Sequence, residues 1–140
     1  MKASLQATGK QLIAESERIY LRDVQGALQE ADFNLAVRRS QEVVELALKG
    51  GLKVVGVDYP KVHDVAPVFS EQLRQKRESV DTRELDRIEE ISLWLAQARA
   101  PAFYFEYEYN GEDARQAAQD ASFVVAAVRR LLGLPNDGSR

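Results

Sequence analysis

The sequence of 140 residues contains no cysteine, one histidine, one methionine and one tryptophan. Without cysteine, thiolate zinc sites, iron-sulfur clusters, disulfides and thiol nucleophiles are excluded. A lone histidine excludes a multi-histidine metal site within one chain. Basic charge is also scarce: 19 Lys and Arg stand against 22 Asp and Glu, a net charge of −3. That balance argues against a chain-wide attraction to polyanions and leaves no strong nucleic-acid signature. No apolar run approaches the roughly 20 residues that span a bilayer. The polar N-terminal stretch through Arg18 lacks the apolar core of a secretory signal. The expectation is a cytoplasmic protein with no membrane partner, no metal and no cofactor.

The 45% apolar content is enough for one core, since a chain of this size buries roughly 68–70% of its unfolded surface. No internal repeat, low-complexity tract or linker divides it, so residues 1–133 read as one domain and 134–140 as a flexible C-terminal tail. Helical period dominates. Between Asp32 and Val55 an apolar stripe of Phe33, Ala36, Val37, Ser40, Val44, Ala47, Leu48, Gly51 and Val55 recurs at spacings of three and four. Opposite it lie Arg38, Gln41, Glu42, Glu45, Lys49 and Lys53, with Asp32 as the N-cap. Gly50 and Gly51 imply a close neighbouring backbone or a helix that ends early.

A first helix spans about residues 4–29, with Leu5, Leu12 and Ile19 on one face. A short third helix carries Val62, Val65, Phe69 and Leu73. Pro67 fits its first turn if it starts near His63 or Asp64. A fourth starts at Asp81 with Glu84 as a capping-box variant, and Pro101 marks its end. A fifth begins near Asn110-Gly111 and ends at Gly133, with small residues along its inner face. The fold class is therefore all-α, a helical bundle with antiparallel neighbours. Phe103, Phe105, Tyr107 and Tyr109 alternate with Tyr104, Glu106 and Glu108 in strand period, but a lone strand has nothing to pair with. The segment reads as an extended loop across the bundle end, either cladding for the core or an interface between subunits.

The order of these pieces resembles the HEPN domain family, the higher eukaryotes and prokaryotes nucleotide-binding domain. The likeness rests on Ala36, Gln41, Glu45 and Lys49 in the second helix, on His63, Asp64 and Val65 before the third, and on Arg99, Pro101, Phe103 and Tyr104 at the end of the fourth. It spans about residues 20–132. The resemblance implies an up-and-down four-helix bundle with a short additional helix, assembled as a homodimer. It also implies a nucleotide ligand or a minimal nucleotidyltransferase partner, in some members as a toxin-antitoxin pair. Many members are ribonucleases in which an arginine is followed, after a short gap, by a histidine. There Arg stabilises charge developing on phosphate and His moves the proton of the attacking hydroxyl.

This sequence departs from that pattern. Upstream of His63 the required arginine positions hold Gly56, Val57 and Asp58, and downstream of Arg99 the histidine positions hold Tyr104, Phe105 and Glu106. Tyrosine, with a reference pKa of about 10, is a poor proton acceptor at neutral pH. The expectation is a dimeric binding module that docks a nucleotidyltransferase or a nucleotide, with no catalytic residues of the usual kind. The alternative is an atypical ribonuclease or toxin component acting on RNA through Arg99, and a bundle with only a scaffolding role is the third reading. Candidate binding residues are Glu45, Lys49, His63, Asp64, Arg99 and Tyr104, and candidate interface residues are Phe103, Phe105, Tyr107 and Tyr109. Each has an ordinary reading beside it: His63 and Asp64 as a helix start, and Glu45 and Lys49 as a surface i,i+4 ion pair. Arg22, Arg38 and Arg39, and Arg74, Lys76 and Arg77, read as solvated charge.

Overall fold

Four of the helix starts are explained by a small polar side chain. In a computed structural model, which describes residues 4–77 and 79–135, Ser4 accepts from the Ala7 N–H and opens α1, Leu5–Ile19. A π-helical turn, Tyr20–Val24, leads without a break into α2, Gln25–Gln29. The first expected helix is thus one rod with a widened turn near its end. It stops where Ala31 takes a left-handed backbone (φ 56°) and Asp32 N–H returns to Ala27 C=O at 2.9 Å. Asp32 then caps α3, Phe33–Val54. After a loop come α4, Ala66–Lys76, α5, Thr82–Phe103, and α6, Gly111–Leu132. No strand occurs among the described residues. The expected frayed tail falls partly on residues 136–140, outside those described.

Helix α3 is the hub, packed against α1, α5 and α6 and touched by α4. Of its expected stripe, Ala36, Val37, Ser40, Val44, Ala47, Leu48 and Gly51 are buried. Gly50 does not end the helix. It lets two backbones meet, since a Cβ on Gly50 would lie 2.6 Å from the Gly9 carbonyl oxygen and one on Gly9 would lie 2.5 Å from that of Gly50. Phe69 and Leu73 of α4, Leu85, Ile88 and Leu95 of α5, and Ala117, Ala121, Val124 and Val128 of α6 complete the core.

Two boundaries and one capping box differ from the sequence reading. Helix α4 starts at Ala66 behind Val65, not at His63 or Asp64, and the Asp64 carboxylate accepts from Ser92 Oγ at 2.7 Å instead of capping it. Helix α5 runs through Pro101 to Phe103, so the proline sits in the last turn instead of marking the end. At its start Asp81 accepts from Arg83 N–H, while Glu84 pairs with Arg130 of α6 and does not close the capping box. The reciprocal box forms instead at α6, between Asn110 and Asp113.

Candidate functional site

Three segments deliver the polar and apolar side chains of one cleft to the flank of α3. The end of α1 brings Ile19, the loop before α4 brings His63, and α5 brings Arg99, while α3 itself supplies Glu42, Glu45 and Leu46. The cleft holds about 250 Å³. Its polar wall is a continuous chain of hydrogen bonds. His63 Nδ1 lies 2.8 Å from Glu45 Oε1, which also accepts from Gln41 Nε2 at 2.9 Å, and Glu45 Oε2 accepts from Lys49 Nζ at 2.7 Å. Gln41 Oε1 in turn accepts from Arg99 Nη1 at 2.8 Å. Arg99 also reaches Glu42 at 3.4 Å, and Glu42 takes Arg39 at 2.7 Å.

The hydrogen-bonding types fix the protonation pattern. Burial opposes charge on Glu45, but hydrogen bonds from Gln41, Lys49 and His63 outweigh it and hold the carboxyl below its usual range. Glu45 therefore accepts only, so His63 Nδ1 is the donor of that bond, and Nε2 has no hydrogen-bond partner among the described residues. Three cations, Arg39, Lys49 and Arg99, face two carboxylates, Glu42 and Glu45, so the cluster is positive before His63 is counted. It offers an anionic ligand a guanidinium and an imidazole beside the apolar carbons of Ile19 and Leu46. Among the described residues no group of three or more acidic or histidine side chains is placed to hold a metal ion.

The remaining sequence candidates fall around this cleft. Asp64 is outside its lining and ties the His63 loop to α5 through Ser92. Tyr104 is also outside it, at the C-cap of α5, stacked edge-on against Phe103 with ring centroids 4.7 Å apart. The segment after it turns instead of extending: Phe105 has φ 56° and Glu106 N–H returns to Pro101 C=O at 2.9 Å. Phe103, Tyr104, Phe105 and Tyr107 are exposed, so they do not clad the core, whereas Tyr109 is partly buried against it. Burial, and then the neighbouring Tyr107 and Asp113, push the Tyr109 phenol above its usual range and keep it neutral.

A family model, the HEPN domain, matches residues 11–131. The chain belongs to the HEPN family. No curated protein and no solved structure matches it. In this HEPN domain Gln41, Glu45, Lys49, His63 and Arg99, on which the resemblance rested, are joined in the hydrogen-bonded chain just described. Membership points to a nucleotide- or RNA-related module, and HEPN domains commonly dimerise. No helix among the described residues is long and apolar enough to cross a membrane.

Sequence reasoning placed Gln41 and Glu42 on the solvated side of the second helix. A helix packed on several sides has little such surface: Gln41 is only 1% exposed. The available signal was the row Gln41, Glu45, Lys49 at i,i+4 along a helix with a broad buried stripe. Such a row keeps to one face of the helix, and here that face meets Arg99 of α5 and His63 of the loop before α4. Ile19 and Leu46 carried no signal of their own, because an apolar wall is recognised only once the polar groups beside it are located.

Proposed function

We propose that this HEPN domain is a nucleotide-binding module that receives its ligand in the cleft lined by Ile19, Glu42, Glu45, Leu46, His63 and Arg99. The observation that carries the reading is the convergence of His63 and Arg99 on that cleft through Glu45 and Gln41. In this reading Arg99 and His63 take phosphate oxygens, the carboxylates of Glu42 and Glu45 accept from sugar hydroxyls or an exocyclic amine, and Ile19 and Leu46 face the base. We further read residues 1–133 as one domain, an up-and-down four-helix core of α1 with α2, α3, α5 and α6, with α4 as the short additional helix. The assembly in this reading is a cytoplasmic homodimer, and a minimal nucleotidyltransferase is the protein partner the family context favours.

Isothermal titration with AMP and ATP tests the cleft. Saturable binding is expected, weakened at least tenfold by Arg99→Ala and by His63→Ala. The absence of binding at millimolar nucleotide, or binding indifferent to both substitutions, overturns the reading.

One observation favours a second reading, RNA cleavage. The histidine missing after Arg99 in sequence is supplied to the same cleft by the loop before α4, with Nδ1 on a carboxylate and Nε2 unpartnered. That arrangement orients an imidazole as a general base. Cleavage of a labelled RNA that is lost in both His63→Ala and Arg99→Ala supports it. Intact RNA after prolonged incubation, together with AMP binding, leaves the first reading alone.

A further inference from the structure

Phe103, Tyr104, Phe105 and Tyr107 are half of the exposed large apolar side chains of the described residues, and they fall within five consecutive positions. Single exposed apolar residues are ordinary, but a contiguous aromatic group on a soluble surface marks contact with something else. Phe105 is the most exposed of them at 71%. It occupies a left-handed backbone position (φ 56°) that glycine or asparagine takes without strain. The loop is nevertheless held in one shape. The Asn34 side chain, from α3, donates to the carbonyls of Ala102 at 3.2 Å and Tyr107 at 2.8 Å and accepts from Tyr109 N–H at 2.8 Å. Aromatic groups presented on a fixed backbone lose little entropy on binding.

Charge selects the occupant. No Lys or Arg lies between Arg99 and Arg115, while Glu106, Glu108, Glu112 and Asp113 do. Glu106 and Glu108 are exposed and have no cation within ion-pair range among the described residues. A phosphate backbone or an anionic lipid surface is repelled by this pattern. A second copy of the same loop brought across a two-fold axis sets the same carboxylates against each other. A basic side chain fits both elements, pairing with a carboxylate and lying on an aromatic face. The chain shows the second contact within itself, with the Arg38 guanidinium 4.4 Å above the centre of the Phe103 ring.

We propose that the loop from Phe103 to Tyr109 is a docking surface for a partner protein that presents arginine or lysine side chains between apolar ones. The surface is separate from the nucleotide cleft, and the proposal stands whether or not that cleft binds nucleotide. It is tested by amide NMR of the full chain titrated with a helical peptide of alternating Arg and Leu turns, and with the same peptide carrying Glu for Arg.

The basic peptide is expected to shift the amides of residues 103–109 and the Asn34 side chain, with at least tenfold tighter binding than the acidic peptide. Phe105→Gly relieves the backbone position, so its Tm does not fall, yet it weakens the basic peptide at least tenfold. Tyr107→Ser, which leaves the strained residue untouched, also weakens the basic peptide at least tenfold. Equal affinity for the two peptides, shifts elsewhere on the surface, or indifference to both substitutions overturns the proposal. So do loop-centred shifts with oligouridine, or a dimer in light scattering that Phe105→Gly converts to monomer, since these assign the surface to RNA or to a second copy.

Discussion

His63 and Arg99 stand at the two ends of one hydrogen-bonded bridge, His63 to Glu45 to Gln41 to Arg99, with successive distances of 2.8, 2.9 and 2.8 Å. Gln41 is the joint. Its amide has to present nitrogen to a carboxylate and oxygen to a guanidinium, and only one orientation does both. Gln41→Leu keeps the volume and removes both bonds, leaving part-buried charge on each side short of a partner. The expected loss of stability is about 1–3 kcal/mol, read as a lower urea midpoint at unchanged slope. In the nucleotide reading AMP binding weakens as well, because Arg99 is no longer aimed.

The starts of α3, α5 and α6 and the end of α6 were legible because each falls on a residue whose chemistry acts locally. Asp32, Asp81 and Asn110 cap where the sequence places them, and Gly133 closes α6 in a left-handed conformation. What depended on distant partners was not legible. Asp64 looks like a cap until Ser92 is seen beside it, and Glu84 looks like half of a box until Arg130 takes it. The spacing argument about histidine illustrates the same limit. It tests for a motif carried by one segment, and His63 enters the Arg99 cleft from another. The aromatic segment, read as an extended loop, turns back on itself because Phe105 takes a left-handed backbone and Glu106 N–H returns to Pro101 C=O, and period two in the side chains says nothing of that turn.

The acid limb of stability should belong in part to Glu45. Its carboxyl is held below the ordinary 4.5 in the folded chain, so the unfolded state binds the proton first as pH falls. The contribution is whole above the unfolded value and is lost as pH descends through the depressed native one. Urea midpoints measured from pH 7 to pH 3 should therefore fall less steeply in Glu45→Gln than in the unsubstituted chain, although the variant is less stable at pH 7. Parallel curves place the acid sensitivity elsewhere.

Glycine substitutions should divide by neighbour. At Gly9 or Gly50 an added methyl meets an opposing carbonyl oxygen at 2.5 or 2.6 Å, and backbone cannot swing aside as a side chain does. Gly9→Ala and Gly50→Ala should each lose about 1–3 kcal/mol or more, as overpacked cores do. Gly26 lies in α2, and a methyl added there would meet nothing within 4 Å. Gly26→Ala should gain about 0.5–1 kcal/mol through the unfolded state and helix propensity. Thermal unfolding of the three variants side by side reads the contrast directly.

Asn34 should control the aromatic loop without carrying any of its surface. It is buried, and its three bonds to the Ala102 and Tyr107 carbonyls and the Tyr109 N–H satisfy backbone groups that the end of α5 and the turn after it leave open. Asn34→Ala removes all three at once, so the expected loss is about 1–3 kcal/mol. Asn34→Asp keeps the acceptor for Tyr109 but sets a carboxylate against two carbonyls, and it should be no better. Hydrogen exchange distinguishes a local effect from a global one. The Tyr109 amide should lose its protection in both variants while the α3 and α6 core amides keep most of theirs. Uniform acceleration instead means that Asn34 holds up the bundle as a whole, and that the loop has no independent order for it to maintain.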